Sequence, residues 1–237
     1  MRLLIKSCFV YLFLLYSLAY FISANAANNS IYLTQSGGST ALTLNIDQIG
    51  NSNVVGTTSA RVSLTGTSLT ADIDQIGDSN TIAMTAAQAN STSFTLRSTG
   101  DSNTQTLALG ASGDVQSTDF DFAATGDSNV LSYTQGAAAT ATSGNTDIVV
   151  TGTSNNLNIV SEVVSGVNNW DVDGSSNDID TTQTGNASSS ITADITGSTN
   201  NIDIDQTHAS GSTSGIVDII AVTTGGVIDI DQCVSGC

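Results

Sequence analysis

Proline is absent from the 237 residues, and basic side chains nearly so: four, against 21 acidic ones. Twenty of those are Asp, and Glu162 is the single Glu. Two of the four cations, Arg2 and Lys6, stand in the first six residues, so Arg61 and Arg97 carry all later countercharge. A nucleic-acid binder is excluded, because it needs a basic footprint to neutralise phosphates. Long soluble helices are excluded too, since their usual Lys/Glu/Ala-rich faces are missing. Beyond residue 26 only six aromatics remain (Tyr32, Phe94, Phe120, Phe122, Tyr133 and Trp170), fewer than a thick two-layer core carries. No second apolar run of spanning length follows the first, so the chain beyond residue 26 is not expected to span a membrane. The abundance of Ser, Thr, Asn and Gly would fit disorder, but a regular apolar spacing opposes it.

The start of the chain has a different composition. Arg2 and Lys6 open it, an apolar run follows from Cys8 to Ile22, and Ser23-Ala24-Asn25-Ala26 closes it. Basic start, apolar middle and Ala-x-Ala end are the parts of a secretory signal peptide, and the run is short for a membrane anchor. Residues 1–26 are therefore expected to be removed. Residues 27–237 form the mature chain of 237 − 26 = 211 residues with a charge of 2 − 21 = −19, destined for the cell exterior. Cys8 leaves with the leader. Cys233 and Cys237 remain, with two readings open: a disulfide that ties off the C-terminal tail, or two idle thiols at a frayed end.

Self-similarity is the strongest signal. The tetrapeptide Gly-x-Ser/Thr-Asn recurs seven times, beginning at Gly50, Gly77, Gly100, Gly126, Gly152, Gly174 and Gly197 and ending at Asn53, Asn80, Asn103, Asn129, Asn155, Asn177 and Asn200. The glycine steps are 27, 23, 26, 26, 22 and 23 residues. Outward from each corner the period is two, the strand period. Four residues before each glycine stand Ile46, Ile73, Leu96, Phe122, Ile148, Trp170 and Ala193, and two after each asparagine stand Val55, Ile82, Gln105, Leu131, Leu157, Ile179 and Ile202. The opposite parity carries Asp47, Asp72, Asp74, Asp121, Asp171, Asp173, Asp178, Asp180, Asp203 and Asp205. The pattern predicts strand–corner–strand with one buried face. A frame starting at Asn29 and a decayed corner at Thr223-Thr224-Gly225-Gly226 extend it to eight coils and a closing strand, Val227 to Gln232.

A two-strand coil cannot bury its own face, but coil on coil buries a continuous stripe and pairs every backbone group. The expected fold is all-β: a solenoid of about eight two-strand coils, about 38 Å long at the usual strand spacing of about 4.8 Å. Glycine suits a corner that needs positive φ, and asparagine in an inward corner bonds the bend and stacks with its copies as an amide ladder. Length variation falls between the two strands, for example Gly136 to Asn145 against Gly185 to Ser190, which assigns insertions, Ser143 among them, to the second corner.

Gln48-Ile49-Gly50-Asn51-Ser52-Asn53 and Gln75-Ile76-Gly77-Asp78-Ser79-Asn80 resemble the curlin repeat, whose centre reads Gln-x-Gly-x-Gly-Asn. The family continues Asn-x-Ala-x3-Gln, matched here by Asn29/Gln35, Asn129/Gln135, Asn177/Gln183 and Asn200/Gln206. The second glycine of the family centre is Ser or Thr at all seven corners, and the preceding glutamine survives only at Gln48 and Gln75. The resemblance implies a secreted subunit of curli, functional amyloid fibres that serve cell adhesion and biofilm matrix in a pilus-like surface layer. It implies a homopolymer, a related nucleator subunit and an outer-membrane secretion pore as partners, and ladder glutamines at Gln35, Gln48, Gln75, Gln135, Gln183, Gln206 and Gln232. The competing reading is a soluble monomeric β-solenoid, an adhesin or an ice- or carbohydrate-binding protein. No in-register Thr array is evident in the sequence, since Thr140/Thr142 and Thr151/Thr153 fall on different parts of the coil.

Catalytic chemistry is not expected. His208 is the only histidine, and its place at a second corner reads as a surface loop; a triad or zinc site needs more. Asp72/Asp74 and Asp203/Asp205 lie on one outer strand face, whereas acid–base work needs two carboxylates in different environments within a cleft. Solenoid enzymes of acidic polysaccharides want basic grooves, which Arg61 and Arg97 do not supply. Trp170 fits the inward series and reads as core. The outward Asp72, Asp74, Asp203 and Asp205 are hard oxygen ligands of the kind calcium takes, but the glycine–aspartate nonapeptide of calcium-bound rolls is absent, so no specific metal or cofactor site is expected.

Overall fold

The computed structural model describes residues 3–4, 18–25, 28–35, 41–57, 61–86, 91–110, 117–136, 141–185, 189–208 and 215–234. Every regular element among them is a strand: β1 (Leu3–Leu4), β2 (Leu18–Asn25), β3 (Asn28–Ile31), β4 (Leu42–Ile49), β5 (Ser52–Val55), β6 (Val62–Leu64), β7 (Ser68–Ile76) and β8 (Ser79–Ala86). Then come β9 (Ser91–Thr99), β10 (Ser102–Leu109), β11 (Ser117–Thr125), β12 (Ser128–Gln135), β13 (Ala141–Gly185), β14 (Ser190–His208) and β15 (Ile216–Val234). The last three run through their corners without a break, so each carries both strands of at least one coil.

The fold is an all-β parallel solenoid. Hydrogen-bonded order runs β1-β2-β4-β7-β9-β11-β13 along the first strands and returns β13-β12-β10-β8-β5-β3 along the second, with β14 and β15 stacked beyond β13. The parallel pairing follows from the repeat: each coil returns to the same column before starting the next strand, and equal parity around every corner keeps one face inward. Register is residue for residue at the corners: Asn29 opposite Asn53, Asn53 opposite Asn80, Asn80 opposite Asn103, Asn103 opposite Asn129, Asn129 opposite Asn155, Asn177 opposite Asn200, and Asn200 opposite Gly226. About seven turns lead from the Asn53 rung to the Gly226 rung, and the Asn29 rung stands one turn earlier, close to the eight coils expected.

The interior is the predicted stripe. Ile46, Ile73, Leu96, Phe122 and Ile148 are in register along the first strands and buried, and Trp170 and Ala193 continue the column. Ile82, Leu131, Leu157 and Ile202 do the same from the second strands. Few aromatics suffice because the two inner faces meet directly. Where they cluster, the Phe120 ring stacks on Tyr133 with centroids 4.4 Å apart, tying one sheet to the other. Burial pushes the Tyr133 phenol above its ordinary value, and its hydroxyl donates to Gln135 Oε1 at 3.3 Å.

Two placements differ from the sequence expectation. In the second coil the extra residues do not lie at the second corner. β5 pairs with Ser79–Ile82 and β6 with Met84–Ala86, so six residues of sequence separate Val55 from Val62 where the neighbouring coil has Ala83 alone between their partners. Gly56, at φ 69°, leaves the ladder after its N–H donates to the Ile31 carbonyl at 2.8 Å, and Val62 returns with the same inward parity. Ser143 is likewise not in a corner but in β13, opposite Ser117 and exposed. The remaining expected insertions, residues 36–40, 87–90, 111–116, 137–140, 186–188 and 209–214, lie outside the described residues.

Candidate functional site

The corner is where the repeated residues converge. Each asparagine Nδ2 donates to the Oδ1 of the asparagine one coil on: Asn29 to Asn53 and Asn53 to Asn80 at 3.0 Å, Asn80 to Asn103 at 2.7 Å, and Asn103 to Asn129 at 2.8 Å. Asn129 to Asn155 at 2.9 Å, Asn155 to Asn177 at 2.8 Å and Asn177 to Asn200 at 2.9 Å complete the chain. Eight buried amides thus form one unbroken ladder of seven hydrogen bonds, each donated toward the C-terminal end. The second function of the same Nδ2 is to bond the bend: Asn103 also donates to the Gly100 and Thr125 carbonyls, both at 3.1 Å. A dry corner demands that satisfaction, and in low dielectric such a chain strengthens cooperatively.

The corner glycines serve a different purpose from the one expected. Of the seven, only Gly50 has a positive φ, 159°, at the edge of the extended region. What excludes a side chain is the neighbouring coil: a Cβ on Gly100 would lie 1.6 Å from the Gly77 carbonyl oxygen, and one on Gly126 1.6 Å from that of Gly100. At Gly77, Gly152, Gly174 and Gly197 the same oxygen would lie 1.8–2.4 Å away. Positive φ occurs where the second strand ends, at Gly110 (72°) and Gly136 (84°), positions the repeat did not mark, and at Gly226 (141°) of the decayed eighth corner.

The glutamines divide. Gln75 donates to Gln48 at 2.7 Å in the first-strand column; Gln206 donates to Gln183 at 2.7 Å and Gln232 to Gln206 at 2.5 Å in the second. This donor direction is toward the N-terminal end, opposite to the asparagines. Gln35 and Gln135 are buried but bond elsewhere: Gln35 accepts from the Thr65 N–H at 2.9 Å, and Gln135 donates to Thr118. Ser98 interrupts the first-strand column, and Gln105, from the facing strand, donates to it at 2.7 Å.

Outward, Arg97 bridges the expected carboxylate pair, 2.9 Å from Asp72 and 3.1 Å from Asp74. The hydrogen bond to Asp74, opposed in part by desolvation, raises the Arg97 guanidinium above its ordinary value. Asp203 and Asp205 are exposed, opposite Asp229 and Asp231 of the last coil. Among the described residues no group of three or more His, Cys, Asp or Glu is placed to hold a metal ion. Asp121 is the perturbed carboxylate: partial desolvation, with Asp119 and Asp147 as neighbours, raises its value. The residues just before the corner glycines bring Thr99, Thr125 and Thr151 into register on the surface, a column that the sequence shows only once the Gly-x-Ser/Thr-Asn steps are aligned. A groove of about 700 Å³ runs along this corner past Thr125, Thr151, Thr196 and Ser198.

No protein-family model, curated protein or solved structure matches the chain.

Trp170 is buried in the inward column, as expected. His208 is not on a surface loop: it is buried beside Gln206 and Gly215, because the parity from Asn200 carries it inward, and neither ring nitrogen makes a hydrogen bond. Cys233 is disulfide-bonded, while Cys237 lies outside the described residues. No helix among the described residues is long and apolar enough to cross a membrane.

The ends are unlike. At the C-terminal end β15 pairs only on its β14 side. Its inward Ile228 and Ile230 are 45% and 42% exposed, and Val227 is 61% exposed. The amide ladder stops there: Gly226 stands opposite Asn200, whose buried Nδ2 finds no acceptor. At the other end β2 covers the full length of β4, and among the described residues β1 pairs with β2 at Ile22 and Ser23.

Proposed function

We propose that the chain is a secreted structural subunit that self-assembles into curli-like amyloid fibres for cell adhesion and biofilm matrix, without enzymatic activity. The observation that carries this reading is the unbroken asparagine ladder inside parallel, in-register rungs, ending on an uncovered strand edge. Such stacking is the cross-β arrangement within one chain, and an open rung is a template for more of it. The Gln-x-Gly-x-Ser/Thr-Asn corners support the curlin likeness, and with it a nucleator subunit and an outer-membrane pore as partners.

Growth works against charge. Two carboxylates about 5 Å apart repel by roughly 0.8 kcal/mol in water, and the coils align Asp180 with Asp203 and Asp229. Salt, divalent cations or mild acid relieve that repulsion. Thioflavin fluorescence and negative-stain microscopy of the purified chain test the reading: fibres form slowly at neutral pH and low salt, and faster with calcium, high salt or pH near 4. A chain that stays monomeric in all four conditions refutes it. The in-register Thr99–Thr125–Thr151 column favours a second reading, a soluble adhesin or an ice- or carbohydrate-binding solenoid. Thermal hysteresis or glycan binding by the monomer, with no fibres, would establish it.

A further inference from the structure

Two outward columns run side by side along the first sheet. One passes from Asp72 through Asp121 and Asp147 to Asp218; its neighbour, two residues on in each strand, passes from Asp74 through Arg97 and Val149 to Asp194 and Ile220. At their start the chain supplies its own cation. Arg97 lies across both columns, 2.9 Å from Asp72 of one and 3.1 Å from Asp74 of the other. No lysine or arginine follows Arg97 in the sequence, yet the same columns go on to present Asp147, Asp171, Asp194 and Asp218. The arrangement that binds a guanidinium at one end is therefore repeated farther on with no basic side chain to fill it.

Between the columns, in those later coils, the surface holds a groove of about 400 Å³. The inward residues Ile148, Trp170 and Ala193 form its floor, and Val149 and Ile220, 48% and 61% exposed, stand toward its two ends. Asp147 and Asp218 are three rungs apart on one side, about 14 Å at the usual rung spacing of about 4.8 Å, and Asp171 and Asp194 are in adjacent rungs on the other. The charges are thus strung along a line. Among the described residues no group of three or more acidic side chains converges to hold a metal ion, which disfavours a single divalent cation. Columns two residues apart leave a width of about 7 Å, enough for one unbranched chain but not for a peptide carrying its own side chains. Apolar ends suit methylene groups, and the carboxylates suit ammonium donors, whose charge-assisted hydrogen bonds are the strong ones.

We propose that this groove binds a linear aliphatic polyamine lengthwise, its methylene segments between Val149 and Ile220 and its ammonium groups donating to Asp147, Asp171, Asp194 and Asp218. The site belongs to the single chain and does not depend on the fibre reading.

Calorimetric titration of the purified monomeric chain with spermine, a linear tetraamine, tests it at physiological ionic strength, where exposed charges more than about 8 Å apart are largely screened. The chain binds spermine saturably at one site. Asp171→Asn with Asp194→Asn weakens that binding at least tenfold. Asp203→Asn with Asp205→Asn removes the same charge from the other sheet and changes it less than twofold. All four positions are exposed, so both variants keep the parent's circular dichroism. Equal loss in the two variants shows diffuse attraction to a polyanion and overturns the site, as does the absence of saturable binding. Magnesium binding as tightly as spermine overturns the choice of ligand. Each result holds whether or not the chain forms fibres, so failure here leaves the fibre reading standing.

Discussion

Replacing Gly100 by Ala adds one methyl group to a surface corner, and the structure makes it a severe change. The new Cβ would lie 1.6 Å from the Gly77 carbonyl oxygen, 2.8 Å from that carbonyl carbon and 2.8 Å from Asn80 Nδ2. Ordinary contact begins near 3.4 Å, and backbone fixed by rungs on both sides cannot yield as a flexible side chain does. The corner must move away from its neighbour by more than 1 Å. A shift of that size stretches the Asn80–Asn103 bond of 2.7 Å and the Gly77 N–H to Thr99 bond of 2.9 Å beyond hydrogen-bond reach. Overpacking costs typically 1–3 kcal/mol, and a buried polar group left unpaired about 1–3 kcal/mol more. The sum is a destabilisation of roughly 2–6 kcal/mol, large for one methyl group. Gly225→Ala is the matched control, because its Cβ would meet nothing nearer than the Ser198 carbonyl oxygen at 3.7 Å. Both changes restrict the unfolded chain equally, by about 0.4–1 kcal/mol, so their difference isolates the clash. Urea unfolding followed by circular dichroism supplies both midpoints. If Gly100→Ala and Gly225→Ala agree within about 1 kcal/mol, the close approach of carbonyl to glycine is not what requires glycine at the corner.

Asn129→Ala removes bonds of 2.8 Å from Asn103 and 2.9 Å to Asn155 from a dry corner and should cost roughly 2–4 kcal/mol; Ser128→Ala, exposed next to it, should cost close to nothing, and equal midpoints would deny the ladder its role. Ile148→Asp puts an unpaired carboxylate into the interior column and should cost several kcal/mol or abolish folding; retention of the native spectrum would contradict the inward assignment. Asp121→Asn tests the raised carboxyl. A group whose value rises on folding binds its proton more tightly in the folded chain, so its stabilising contribution is complete below the unfolded value of about 3.9 and is lost as pH rises through the higher folded one. The Asn variant should thus unfold at higher urea than the parent at pH 7, with the gap closing below that window; a gap independent of pH would reject the assignment.

The Gly-x-Ser/Thr-Asn step and the period-two parity together determine which residues face inward, which stack and how many turns follow, and the register confirms them from Asn29 to Gln232. Parity is legible because one residue of slip would turn Ile46 outward and Asp47 inward. Why glycine occupies the corner was not legible: it depends on the distance to the next coil, which no single coil encodes. The extra length between Val55 and Val62 was misplaced because sequence spacing records how long a coil is but not between which paired residues the excess falls. His208 was misread for the same reason, since the second strand runs farther in β14 than the shorter coils imply. The Thr99–Thr125–Thr151 column emerges only after the unequal steps are aligned, and the strand pairing of residues 18–25 was masked by their resemblance to a leader.

In the proposed fibre, rungs continue from one subunit into the next along a single axis. Cryo-electron microscopy of fibres grown from the purified chain measures this directly. End-to-end growth places rungs perpendicular to the axis at about 4.8 Å, with an axial rise of about 38 Å per subunit and the asparagine column repeating along the fibre. Fibres whose strands stack with another rise, or whose corners do not align in a column, would contradict it.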